Sequence, residues 1–485
     1  MAKQLECSSA EVPVVSFRRC AIVVVSCAWL LPILGQSRPT PEQRTARAFD
    51  ALRASPPQLQ AFLQDMPKGG DLHNHLAGAV YAESFLGFAV ANGQCVDRAS
   101  AQVLAAPCEP CDATSHKPAA SCAYQDPTLF NTLIDAWSMR NWRPARESGH
   151  DHFFATFDKF IPAATGHTGE MLAEVASRAA ADHVLYLELM HTPDGMQAPT
   201  LGMTVPWTDD FGALRARLLP GMAAILTSTR KQLDDDEAKM HAVLKCGTPQ
   251  ADAGCGVTVR YLYQVLRGLP REMVFAQILL GYELASVDPR VVGVNLVMPE
   301  DWPVPMRDFD LHMRILEFMH ATYPRVHLSL HAGELTMGLV PPEGLRSHIR
   351  ASIERAHAER IGHGVSVMSE RDAAGLLREM AERHVLVEIS LTSNAVILGV
   401  SGPDHPLATY LKAGVPVALS TDDEGVSRSD MTHEYLRAVL DQHVSYLDLK
   451  HMARLSLEHA FLADTDKAAL QRQLEQAFAA FESRH

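Results

Sequence analysis

A chain of 485 residues, 47% hydrophobic and 21% charged, has the makings of a substantial core, which excludes a mainly disordered protein. Its net charge of -14, with no Lys/Arg cluster, argues against nucleic acid as the main partner. A small neutral or cationic ligand is the expected partner, and the length fits one large barrel-type domain with additions, or two or three average ones.

In chain order, Arg18 and Arg19 precede "CAIVVVSCAWLLPILG", an apolar run too short and Pro-interrupted for an ordinary membrane span. Residues 1–37 therefore read as a signal peptide or an uncleaved anchor, and 38–485 as the functional domain, exported to a periplasmic or extracellular space. No later segment is a long uncharged apolar run, so no further membrane contact is expected. Six cysteines follow this leader, and an even count in an exported chain points to disulfides. Cys246 and Cys255 flank "GTPQADAG", whose ends close easily, and are the first expected bridge. Cys95, Cys108, Cys111 and Cys122 have no deducible pairing, and the Cys108-x-x-Cys111 spacing leaves a structural zinc as the rival reading.

"TPEQRTARAFDALRASPPQLQAFLQDM" has helical spacing and delivers the chain to a first strand, "GDLHNHL", near 70–76. Further strands are expected near 184–190, 257–263, 291–297, 326–331, 360–364, 385–391 and 415–421. Amphipathic segments such as "DLHMRILEFMHATYP" and "SERDAAGLLREMAERH" separate most of them. Alternation of β and α implies a parallel sheet, and eight such units predict an α/β fold of the closed (β/α)8 barrel type, with a doubly wound open sheet as the alternative. More than a hundred residues separate the first two strands, so an inserted, Cys-containing helical region is expected there, with the insertion at about 92–125. "DAWSMRNW" and "HDHFFATFDKF" belong either to core helices or to a lid.

In a barrel of this kind the chemistry sits at the carboxyl ends of the strands. Those ends carry His73 and His75, His331 in "SLHAGE", His363 in "RIGHGV", and Asp422 with Asp423 in "ALSTDDEG". His73 and His75 share one strand face. Three imidazoles and a carboxylate make a zinc-type site with one open position, where a bound water becomes a nucleophile near neutral pH. Glu334, three residues past His331, is placed to give a proton to a ring nitrogen of the substrate; alternatively it compensates a helix dipole.

Through these motifs the sequence resembles the adenosine deaminase family, in particular its exported, growth-factor-like branch. "MPKGGDLHNHL", "SLHAGE", "RIGHG" and "STDD" occur in the family's order, and the likeness runs over about residues 60–465. The resemblance implies that His73, His75, His331 and Asp422 bind one zinc ion, and that Glu334 protonates purine N1. It further implies that His363 orients or deprotonates the water and stabilises its charge, and that Asp423 positions the hydroxide and contacts N7. The implied reaction takes adenosine, 2'-deoxyadenosine or a related 6-aminopurine nucleoside to inosine and ammonia.

Two positions depart from the family pattern. Ala77 stands where many relatives carry an aspartate that touches the ribose 5'-hydroxyl, and Met298 where a glycine usually approaches the purine edge. A nucleoside altered at its 5' position is therefore a candidate substrate. Three rivals are weighed. A cytidine-deaminase-type zinc site needs His-x-Glu before Pro-Cys-x-x-Cys, and "HAE" and "PCEPC" stand here in the reverse order. A binuclear amidohydrolase usually bridges two metals with a fourth-strand lysine, absent from "VVGVNLVMPE". An exported nucleoside-binding or signalling protein without turnover has no use for Glu334, His363 and Asp423 together.

Overall fold

The computed structural model describes Pro13 and residues 38–485. The expected leader, apart from Pro13, thus lies outside the described residues. Strands are numbered in chain order: β1 (Gly69–His75), β2 (Cys95–Val96), β3 (Val103–Leu104), β4 (Val184–His191), β5 (Thr258–Leu266), β6 (Val291–Val297), β7 (His327–Ala332), β8 (Arg360–His363), β9 (Leu386–Ile389) and β10 (Val417–Leu419). Eight of them form a single sheet in the order β1-β4-β5-β6-β7-β8-β9-β10. Every neighbouring pair in it is parallel.

The sheet closes through one residue. The Asp422 N–H donates to His73 O at 2.8 Å and the His75 N–H donates to Asp422 O at 3.1 Å, which ties the end of the last strand to the first. Helices such as Arg271–Val287, Pro303–Thr322 and Ala373–Glu382 separate successive strands, so the architecture is the expected (β/α)8 barrel. All eight expected strands are present, with ends shifted by a few residues. The largest shift is in β5, which runs three residues beyond the predicted end and carries Gln264 to the rim.

Each strand alternates inward and outward side chains, and the inward set is polar at the barrel floor. Arg360 is fully buried, bonded to Glu188 and ion-paired through Nε with Glu388 Oε1 at 2.7 Å. Tyr186 Oη and the Phe461 N–H each donate to Glu188 Oε1 at 2.8 Å. A guanidinium between two buried carboxylates costs about 3–5 kcal/mol to break, because the remaining partner is stranded without water.

Between β1 and β4 lie helices including Ala82–Ala91, Pro127–Ala136, Gly149–Phe160 and Thr168–Ala181. The cysteine-bearing stretch itself is not helical in the main. β2 and β3 pair antiparallel there, and a short 3-10 turn covers Ala120–Tyr124. Cys95 bonds Cys108 and Cys111 bonds Cys122, so both members of the Cys108-x-x-Cys111 pair are committed to separate bridges and the structural-zinc reading falls. Disulfides supply what little regular structure and few apolar residues cannot. Cys246 bonds Cys255, as expected from the loop between them. Among the described residues no helix is long and apolar enough to cross a membrane.

Candidate active site

At the carboxyl rim of the barrel, His73, His331, His363 and Asp422 each offer a ligand atom within 4.8 Å of the others. His75 joins them, its Nε2 lying 3.1 Å from His331 Nε2 and 3.3 Å from Asp422 Oδ1. His73 Nε2 is 3.5 Å from the same oxygen. Backbone geometry at the rim is special: His363, Asp422 and Met298 adopt positive φ values of 66, 59 and 81°, in or near a left-handed region that side-chain-bearing residues seldom occupy.

The outer nitrogens of three imidazoles are all engaged by acceptors. His73 Nδ1 meets Glu388 Oε2 at 2.7 Å, His75 Nδ1 meets Gln264 Oε1 at 3.0 Å, and His331 Nδ1 meets Asn295 Oδ1 at 2.8 Å. The Asn295 oxygen is identified independently, since it also accepts the His331 N–H at 3.1 Å. With a proton held on Nδ1, each ring turns an Nε2 lone pair inward, the tautomer that suits a metal ligand. Two lone pairs facing each other across 3.1 Å repel unless a cation lies between them, and His73 Nε2 is buried with no hydrogen-bond partner among the described residues. The donor set of three imidazoles and one carboxylate therefore fits a divalent metal of the zinc class. Ser393 Oγ donates to Asp422 Oδ2 at 2.6 Å and leaves Oδ1 facing the rings.

The electrostatics suit a bound cation. Burial disfavours a charged His73, but the nearby carboxylates of Asp422 and Glu388 prevail and hold it up at about 10. Burial lowers His75, against the opposing charge of Asp422, and it lowers His331 well below the usual imidazole range, with the neighbouring imidazoles adding to the effect there.

Glu334 and Asp423 lie at the same rim, and both are buried. Burial and then the charge of Asp422 push Glu334 well above the ordinary carboxylate range, with Glu300 adding to it. Burial and Asp422 do the same to Asp423. Among the described residues, Glu334 Oε1 and Asp423 Oδ1 have no hydrogen-bond partner although both are shut away from water. The Glu334 loop is clamped from below: Gly333 and Glu334 donate their backbone N–H groups to Glu300 at 3.2 and 2.9 Å, and Glu300 is in turn held by His348 Nδ1 at 2.5 Å.

Gly78 lets Asp423 approach, because a methyl group there would lie 1.5 Å from Asp423 Oδ1. Met298 is half-buried, with its thioether against Gly268 and its carbonyl accepting from Arg267 Nε at 3.2 Å. The described contacts do not bring it to the imidazoles. Ala77, in the turn after His75, is half-buried.

Of the two aromatic segments, Trp137, Phe153 and Phe160 are core residues. The helix Gly149–Phe160 packs on the helix Leu391–Leu398 that follows β9, and His150 Nε2 reaches Asp301 Oδ1 at 3.0 Å in the loop after β6. A cavity of about 570 Å3 lies at the opposite end of the barrel, lined by residues including His327, Arg383, His459 and Lys467. It shares no residue with the imidazole cluster.

The motifs named the rim residues but not their supports, Glu388, Gln264, Asn295, Glu300 and Ser393. A signal for three of these was present. A single Glu, Gln or Asn inside an otherwise apolar strand ("VLVEISL", "YLYQVL", "VVGVNLV") must find a partner when buried.

The family model described as adenosine deaminase matches residues 145–477. The adenosine deaminase of Salmonella typhimurium (strain LT2) is 36% identical over 152 residues, 31% of this chain and 42% of the relative. That of Salmonella typhi matches to the same extent, so the chain spans less than half the length of these curated relatives. Solved structures show likeness of fold. An adenine deaminase from Arthrobacter aurescens superposes with a TM-score of 0.56 at 18% identity, covering 84% of this chain and 98% of that one. Arabidopsis ADAL complexed with IMP gives 0.57 at 21% identity, covering 86% and 98%. A zinc-bound amidohydrolase from Burkholderia ambifaria gives 0.54 at 16% identity, covering 88% and 95%. On the breadth of the family match, together with a rim that carries its motifs in order, this chain belongs to the adenosine deaminase family.

Proposed function

We propose that this protein is a zinc-dependent aminohydrolase that converts adenosine, 2'-deoxyadenosine or a related 6-aminopurine nucleoside to the 6-oxo product and ammonia. One observation carries the reading: three inward Nε2 lone pairs and Asp422 converge beside Glu334, a buried carboxyl group held in its neutral form. His73, His75, His331 and Asp422 would hold a single zinc ion. When bound, it supplies Lewis acidity that brings the pKa of a water from ~15.7 toward ~7.

The remaining steps belong to the chain. Glu334, neutral because burial and neighbouring carboxylates oppose its ionisation, gives its proton to a purine ring nitrogen and makes the adjacent carbon electrophilic. Asp423, whose ionisation is opposed by burial and the charge of Asp422, would be ionised once a bound cation offsets that charge; its Oδ1 then accepts a proton during attack and passes it toward the departing amine. His363 stays uncharged, lowered to about 3 chiefly by burial, and acts through hydrogen bonding. The departing amine takes the proton relayed by Asp423 and leaves as ammonia, the proton given by Glu334 stays on the ring nitrogen of the 6-oxo product, and the hydroxyl proton of the tetrahedral adduct returns to Glu334.

Export is part of the proposal, supported by three disulfides, which persist in oxidising compartments. The growth-factor-like branch is proposed on the same ground. Partner chemistry is confined to a small purine nucleoside. Because the methyl side chain of Ala77 cannot accept a hydrogen bond from a 5'-hydroxyl, we further propose tolerance of 5'-modified nucleosides.

The test is the ultraviolet absorbance change of adenosine, 2'-deoxyadenosine, 5'-deoxy-5'-methylthioadenosine and adenine with zinc-loaded protein, alongside Glu334→Gln. Turnover of a nucleoside, reduced on the order of 10²–10⁴-fold in the variant, is expected from the loss of a positioned acid. No ammonia from any 6-aminopurine overturns the reading, and a strong preference for an intact 5'-hydroxyl removes its 5' clause.

A further inference from the structure

Two residues beyond the motif set decide which nitrogen of His363 carries its proton. Asn394 lies in the helix Leu391–Leu398, and His405 lies just before the helix Leu407–Ala413. Both are buried, at 0% and 2% exposure, as is His363 at 1%. Leu407 N donates to His405 Nδ1 at 3.2 Å, His405 Nε2 meets Asn394 Oδ1 at 3.0 Å, and Asn394 Nδ2 meets His363 Nδ1 at 3.0 Å.

The direction of this chain is not a free choice. A backbone N–H only donates, so His405 Nδ1 is an acceptor, and a neutral His405 must carry its proton on Nε2. That proton goes to the amide oxygen of Asn394, which turns the amide NH2 toward His363. His363 Nδ1 therefore accepts, and its own proton resides on Nε2. A neutral His405 is what its surroundings dictate, since burial lowers it to about 4 with Arg437 contributing.

We propose that Asn394 and His405 are positioning residues that lock His363 in the Nε2–H tautomer, opposite to the tautomer of His73, His75 and His331. The proposal rests on the deaminase reading for its consequence, though not for its geometry. His363 Nε2 is buried without a hydrogen-bond partner among the described residues and stands 3.9 Å from Asp422 Oδ2. A neutral ring already protonated there cannot ligate a metal through that nitrogen, nor take a proton at it. It donates instead to the attacking oxygen and stabilises the negative charge that develops. Proton removal is left to Asp423. The lock thus separates one rim imidazole from three neighbours that sequence spacing alone makes look equivalent.

The experiment uses full-length protein labelled with 15N-histidine, with and without zinc, and long-range 1H–15N spectra at neutral pH. The His363 resonances are identified by their loss in His363→Gln. A protonated Nε2 and a bare Nδ1 are expected. Asn394→Asp replaces the donor with a carboxylate of the same shape and so calls the proton to Nδ1. The expected result is an inverted tautomer, with kcat lower on the order of 10²–10³-fold and KM for adenosine changed by less than about threefold. His405→Gln can accept from Leu407 and donate to Asn394, so it is expected to keep the Nε2–H signal and to recover most of the kcat that His405→Phe loses. If Asn394→Asp does not fold, the wild-type spectrum and the His405 pair decide the matter. A wild-type His363 protonated on Nδ1 overturns the proposal, as does Asn394→Asp with unchanged tautomer and kcat. Absence of turnover in wild-type protein would sink the deaminase reading, yet leave the spectra to decide on the lock.

Discussion

Replacing Glu388 by Gln tests how the barrel interior tunes the metal site. The carboxylate faces two ways: Oε2 accepts from His73 Nδ1 at 2.7 Å, while Oε1 accepts from Ser329 Oγ at 2.8 Å and pairs with Arg360 Nε at 2.7 Å. Gln has the same shape but only one accepting end. With its oxygen toward His73, its NH2 group faces the guanidinium and one attraction becomes a repulsion. With its NH2 group toward His73, the ring proton is driven to Nε2 and the lone pair needed by the metal is lost.

Either arrangement weakens binding, and replacing a hydrogen-bond partner of a liganding histidine typically costs 10–100-fold in metal affinity, or about 1.4–2.7 kcal/mol. The assay is competition for zinc against a chromophoric chelator, with circular dichroism to confirm a folded protein. Arg360 retains Glu188, so the fold is expected to survive. Zinc affinity within twofold of wild type in a folded Glu388→Gln protein would refute this reasoning.

Three further outcomes are expected. Gly78→Ala inserts a methyl group 1.5 Å from Asp423 Oδ1 and must displace that carboxylate; kcat should fall on the order of 10²-fold with zinc content unchanged by elemental analysis. Cys246→Ser opens a nine-residue bridge and is expected to lower unfolding free energy by about 2.6 kcal/mol in urea titrations under non-reducing conditions. Glu434, buried beside Thr392 and Ser429, is raised to about 7 by burial. The folded state then holds its proton more tightly than the unfolded chain. Its contribution is complete below the ordinary carboxylate range and is lost as pH rises through about 7. Urea midpoints at about pH 5 and about pH 8 should fall less in Glu434→Gln than in wild type, by roughly 3 kcal/mol at most in free energy.

The barrel was legible because its signals are repetitive. Eight apolar runs alternate with amphipathic stretches, and parallel strands joined by helices have few ways to close. Rim residues were legible for the same reason, since His73, His331, His363 and Asp422 each stand at or just past the end of such a run. Cysteine pairing was not, apart from Cys246 and Cys255, because four thiols within 95–122 allow three pairings and chain entropy barely distinguishes them. Roles within the rim were also hidden. His331 and His363 read alike in sequence, and only their outer contacts, Asn295 as acceptor and Asn394 as donor, set them apart. The β2–β3 ladder was missed because its strands are two residues long, below any usable periodicity.

The central claim is that His73, His75, His331 and Asp422 gather a single divalent ion. The most direct measurement is a crystal structure of the zinc-loaded protein with anomalous data at the zinc edge. One anomalous peak is predicted, with the three Nε2 atoms and an Asp422 oxygen at about 2.0–2.2 Å and His363 outside the coordination shell. Two peaks, a peak ligated by His363 Nε2, or none at this rim would contradict the account.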